Sequence, residues 1–109
     1  MTLKEIVEKL SGLNIVEVRS STEDSHELVF TNEKIDDWDK IFTEMLGPAV
    51  KPRGVKPTKE DQSITDKYGG IYNNQVLYKK EFDNAVVLAM FWPWQDDVHT
   101  TLKIVLLKK

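Results

Sequence analysis

Residues 76–107 read VLYKKEFDNAVVLAMFWPWQDDVHTTLKIVLL, and this stretch decides the fold. Three runs rich in β-branched and aromatic residues, Val76 to Phe82, Ala85 to Trp92 and Val98 to Leu107, are separated by Asp83/Asn84 and by Gln95 to Asp97. Runs of this composition joined by short polar breaks predict antiparallel strands in a meander. Pro93 has no N–H to give to a ladder, so it marks a strand end, an edge or a bulge. A connection confined to Gln95 to Asp97 sets Trp92, Met90, Leu88 and Val86 opposite Thr100, Leu102, Ile104 and Leu106, which makes one apolar face. A slip by one position brings Lys103 opposite Met90, a costly burial unless the lysine is paired, so the first register is expected. The other face then carries Ala85, Val87, Ala89 and Phe91 beside His99, Thr101, Lys103, Val105 and Leu107. That set is too apolar to meet water alone and calls for cover by the long loop of the same chain or by a second copy in a homodimer.

Working toward the N-terminus, three prolines at 48, 52 and 57 with Gly54 forbid regular structure from Pro48 to about Thr58. Thr58 with Asp61 has capping-box spacing, so a short polar helix is expected to run toward Tyr68 before Gly69 and Gly70 stop it. Ile35, Trp38, Phe42, Met45 and Leu46 form the strongest helical stripe in the chain, capped by Asn32 or Asp36 and ended by Gly47 and Pro48. Asn14 to Ser20 and His26 to Thr31 predict a hairpin around the polar turn Ser21 to Ser25. Thr2 with Glu5 caps a first short helix carrying Leu3, Ile6, Val7 and Leu10. The expected fold is α+β: a mostly antiparallel sheet of about five strands, an N-terminal hairpin plus a C-terminal three-stranded meander, with two to three helices on one face.

The 109 residues predict a single domain spanning positions 1–109, and an apolar content of 40% against 30% charged residues allows a real core. The chain contains no cysteine, which excludes disulfides, thiolate zinc sites, iron–sulfur clusters and cysteine nucleophiles. The first ten residues interleave Lys4, Glu5, Glu8 and Lys9 with apolar ones and lack the pattern of a signal peptide; a cytoplasmic protein without membrane association is expected. The net charge of −3 is uneven, with −6 over residues 1–46, +4 over 47–80 and −1 over 81–109. An acidic first half argues against nucleic-acid binding, while the basic middle leaves room for an anion site.

Two clusters carry candidate chemistry. Lys51, Arg53, Lys56 and Lys59 place four positive charges and no negative one in a proline-stiffened loop that opens onto a helix start, a combination suited to phosphate or carboxylate. The plain alternative is a solvated loop that offsets the acidic half. Trp92 and Trp94 flank Pro93 on one side of the strand, where indoles line a ligand cleft or anchor a partner, or simply seal the end of the core. His26 and His99 do not form a close ligand pair, so no metal and no cofactor is expected. Asp96, Asp97 and His99 can converge as acid–base groups do, although aspartates also serve turns for backbone reasons. No nucleophile elbow, phosphate-binding glycine loop or dinucleotide fingerprint is present. The function expected is therefore noncatalytic: a small module that binds a partner protein or a small anionic ligand through Lys51, Arg53, Lys56, Lys59, Trp92 and Trp94. The competing expectation is a small enzyme or enzyme accessory subunit with a pocket near His99.

Overall fold

The computed structural model describes residues 2–108. In chain order the elements are α1 (Leu3–Leu10), β1 (Ile15–Ser21), β2 (Ser25–Thr31), α2 (Ile35–Leu46), α3 (Lys59–Thr65), β3 (Val76–Glu81), β4 (Ala85–Pro93) and β5 (His99–Lys108). Short 3-10 turns at Asn32–Lys34 and Asp66–Tyr68 precede α2 and follow α3. One five-stranded sheet has the order β1-β2-β5-β4-β3, with every neighbouring pair antiparallel. The hairpin β1–β2 and the meander β3–β4–β5 thus join through β2 and β5, and the α+β class is as the sequence predicts.

Local signals explain the helix starts. Both capping boxes form: Thr2 Oγ1 accepts from the Glu5 N–H at 3.2 Å, and Thr58 Oγ1 accepts from the Asp61 N–H at 3.0 Å. The start of α2 departs from expectation, because neither Asn32 nor Asp36 caps it. A 3-10 turn leads into the helix instead, and the Asn32 side-chain oxygen accepts from the Thr100 hydroxyl of β5. That bond ties the entry of α2 to the sheet.

The β4–β5 register differs from the expected one by a single position. Met90 lies opposite Lys103, Leu88 opposite Val105 and Ala89 opposite Ile104. The cause is the connection, where the Trp94 N–H donates to the His99 carbonyl at 2.8 Å and leaves Gln95 to Val98 in the loop, one residue more than expected. Asp97 takes φ 59 there, a left-handed conformation that aspartate tolerates. The lysine is accommodated because β2 places Glu27 directly beside it: Lys103 Nζ lies 3.6 Å from Glu27 Oε1 and keeps 19% side-chain exposure. The rejected register thus becomes the native one through a partner on another strand.

With this register the two sheet faces carry sets other than those expected. Val87, Ala89 and Phe91 join Leu102, Ile104, Leu28, Phe30 and Tyr78 on the face that α1 and α2 cover with Leu3, Ile6, Leu10, Trp38, Phe42, Met45 and Leu46. Trp38 stacks on Phe30 with ring centroids 4.3 Å apart, and Phe91 meets Phe30, Phe42 and Tyr78 edge-on at 5.3 to 5.7 Å. On the opposite face Leu88, Met90, Val105, Leu77 and Ile71 form a smaller cluster, completed by Ile64, Tyr68 and Trp92. Ile64 of α3 and Tyr68 of the turn after it pack on this face, so two helices share one face and the third takes the other. Among the described residues no helix is long and apolar enough to cross a membrane.

Candidate binding sites

The segment between α2 and α3 runs along the outer edge of β3. Val50 and Lys51 donate their N–H groups to the Leu77 carbonyl at 2.9 and 3.2 Å, and the Leu77 N–H returns a bond to Lys51. Pro52 to Val55 then form a β-turn with the Val55 N–H 3.3 Å from the Pro52 carbonyl and Gly54 at φ +85. A positive φ at the third turn position, with an ordinary φ at Arg53 before it, is the type II arrangement that favours glycine. The Gly54 N–H is fixed by the Asn73 carbonyl at 2.7 Å.

Beneath this turn Lys51 is 1% exposed. Its ammonium donates to the carbonyls of Pro52, Asn73 and Gln75 at 3.0, 2.7 and 2.5 Å, so all three N–H donors are engaged inside the protein. Burial pushes its proton affinity below the usual lysine range, and the nearby Asp61 carboxylate acts in the opposite direction. Lys51 therefore stands apart from the other three cations: it holds the loop, while Arg53, Lys56 and Lys59 are exposed. None of those three makes an ion pair among the described residues. Arg53 also borders a cleft of about 260 Å³ with Asp36, Asp39, Tyr78 and Phe91. In that cleft the Tyr78 hydroxyl donates to Asp39, and burial followed by this bond pushes the phenol well above its usual range. At the start of α3 the capping box engages the N–H groups of Thr58 and Asp61, so these two are not open to a ligand.

The two tryptophans lie on the face of the sheet opposite the Tyr78 and Phe91 side chains that line the Arg53 cleft. Trp92 packs into the smaller core cluster beneath Gly69, where an added Cβ would come within 3.4 Å of the indole, and its Nε1 is buried without a hydrogen-bond partner among the described residues. Trp94, nearer the rim, donates from Nε1 to Thr101 Oγ1 at 2.8 Å and lies under the Arg19 guanidinium, 5.2 Å from the ring centroid. The loop cations and the aromatic pair thus do not share one pocket.

His99 tilts against Trp94 with ring centroids 4.7 Å apart, and its Nδ1 lies 2.7 Å from Asp96 Oδ2. The other Asp96 oxygen accepts from the N–H groups of Val98 and His99 at 2.9 and 3.0 Å, so the carboxylate also shapes the turn. The His99 contact first, then these two N–H groups, hold the Asp96 carboxyl down to about 2. His99 borders neither the Arg53 cleft nor the cleft beside α1. No group of three or more His, Asp or Glu is placed to hold a metal ion among the described residues.

A cleft that the sequence does not announce opens between α1 and the adjoining end of the sheet, with a volume of about 730 Å³. Leu3 and Val7 of α1, Ala85 of β4 and Leu106 of β5 form its apolar walls, and the turn of the β1–β2 hairpin closes one side. Ser21 in that wall holds its hydroxyl 3.0 Å from Nδ1 of His26, whose burial lowers its proton affinity. These residues come from segments far apart in the chain, so no local spacing marks them; the apolar flank at Val7 is the one signal available. Comparison of the chain with protein-family models, curated proteins and solved structures gives no match.

Proposed function

We propose that this protein is a noncatalytic binding module that engages a carboxylate or phosphate group, presented by a small ligand or by a partner protein, on the loop carrying Arg53, Lys56 and Lys59. The observation that supports this reading is the inward-turned Lys51. By tying the carbonyls of Pro52, Asn73 and Gln75 together, it keeps the display turn in one shape while none of the three outward cations is ion-paired among the described residues. A loop already fixed loses less entropy on closing around a ligand than a free one. Arg53 is the bidentate partner in this reading, with Lys56 and Lys59 as point charges. Each exposed contact is worth about 1 kcal/mol or less, so three of them put binding of a simple anion at roughly 6 mM or weaker and make it fall with salt.

The test is an NMR titration with citrate at low and moderate salt on the wild type and Arg53→Ala. The expected result is saturable, salt-sensitive shifts confined to the amides from Lys51 to Asp61, lost or weakened in the variant. Absence of shifts there, or an Arg53→Ala titration that matches the wild type, returns the segment to the role of a solvated connector.

A second reading, a small enzyme using His99 as a base, has one observation in its favour: Asp96 orients Nδ1 and leaves Nε2 as the other ring nitrogen. The same carboxylate is needed by the turn, which accounts for the contact without chemistry.

A further inference from the structure

The cleft beside α1 lies within the 300 to 1,000 Å³ span of small-molecule sites. Leu3, Val7, Ala85 and Leu106 give it an apolar wall, Thr2, Ser21, Thr22 and Asn84 border that wall, and no aromatic ring lines it, so a planar ligand finds no stacking partner whereas a flexible hydrocarbon chain finds apolar contact. The charges at its rim are of both signs, but they are not equivalent. Lys108 is held 3.6 and 3.7 Å from Glu23 and Asp24, a closed group of its own. Lys4 has no ion-pair partner among the described residues, and Glu8, one helical turn further along α1, faces the same opening.

We propose that this cleft binds an unbranched aliphatic monocarboxylate, with the chain along Leu3, Val7, Ala85 and Leu106 and the carboxylate on Lys4. A second carboxylate at the far end of such a chain would be drawn against the aliphatic side chains without a partner, so a dicarboxylate binds more weakly. The site shares no residue with the Arg53 loop and stands or falls independently of it.

The experiment is a two-dimensional amide NMR titration of the full chain with decanoate below its micellar concentration, set against decanol, decyltrimethylammonium and decanedioate. Decanoate is expected to shift the amides of Leu3 to Glu8, Ser21 to Glu23 and Ala85 saturably, and the other three compounds to bind more weakly. Lys4→Gln, an exposed change, should weaken decanoate by about two- to five-fold, the range of one exposed ion pair, and leave decanol unchanged. Val7→Trp, with circular dichroism to check folding, should fill the cleft and abolish the shifts. Absence of saturable shifts overturns the site. Decanol binding as tightly as decanoate, or Lys4→Gln titrating like the wild type, overturns the carboxylate assignment, and equal binding of decanedioate overturns the placement of the chain end in the apolar part of the cleft.

Discussion

The face of the sheet under α1 and α2 and the face under the segment from Lys51 to Ile71 each bury an apolar cluster, but they are sealed by different means. Helices satisfy their own backbone, so on the first face side chains alone make the seal, and its buried polar atoms are matched: Trp38 Nε1 donates to Asn14 Oδ1 at 2.7 Å, and the Tyr78 hydroxyl to Asp39. An irregular segment leaves carbonyls pointing inward. On the second side a lysine supplies donors to three of them, and the Trp92 indole N–H is left without an acceptor among the described residues. The difference teaches that the charge count of a loop is not the charge it shows: of four cations between positions 51 and 59, one is consumed in holding the other three in place.

Removing one large side chain from each seal breaks the comparison most directly. Phe91 sits among three aromatic rings beneath the helices, and Phe91→Ala is expected to cost ~3 to 5 kcal/mol by loss of burial and by the cavity left behind. Leu88, equally buried on the other face, should fall toward the lower end of the ~2 to 5 kcal/mol span for Leu→Ala, because an irregular cover can settle into part of the space. Chemical denaturation of both variants decides it. A Leu88→Ala loss equal to that of Phe91→Ala would mean that the loop seal is as unyielding as the helical one.

Lys51→Met keeps the length of the side chain and removes only its donors. The Gln75 carbonyl then has no partner among the described residues, while Pro52 and Asn73 keep only the Val55 and Gly54 N–H groups, at an expected loss of ~1 to 3 kcal/mol. Hydrogen exchange should speed up at Gly54, whose N–H bond to Asn73 belongs to the same tie, while amides of α2 keep their protection. Unchanged exchange at Gly54 would show that the turn holds itself and that Lys51 is merely buried.

What the sequence made legible follows the range of the signals. Capping boxes at Thr2 and Thr58, the stripe of α2 and the alternation of β4 and β5 are local, and each element stands where those residues place it. The register of β4 against β5 was not legible, because it turns on whether Val98 belongs to the strand or to the loop, and on Glu27, distant in sequence, standing beside Lys103. Lys51 escaped for the same reason: its partners are carbonyls at 73 and 75, which no pattern around position 51 reveals. The exposure of Arg53, Lys56 and Lys59 could be anticipated from composition alone. The cleft under α1 could not, since it is made by the approach of segments whose spacing in the chain carries no information about it.

The smallest expected effect concerns the pair that admits the native register. Glu27 and Lys103 face each other across β2 and β5 with side chains 24% and 19% exposed, so solvent screens them in part, and a direct coupling of ~0.2 to 1 kcal/mol is expected. A double-mutant cycle with Glu27→Gln and Lys103→Gln isolates that term from the packing of the two aliphatic stems. The single changes should each destabilise slightly, the double change should cost less than their sum, and the coupling should shrink as salt is added. The value is small beside Phe91 or Lys51, yet its sign decides how the sheet is specified. A coupling near zero at low salt would mean that the four-residue turn from Gln95 to Val98, fixed by Asp96, sets the register without help. A favourable coupling means that β2 takes part in choosing which face of β5 meets the helices, through the one lysine that the opposite choice would have kept off the Met90 side.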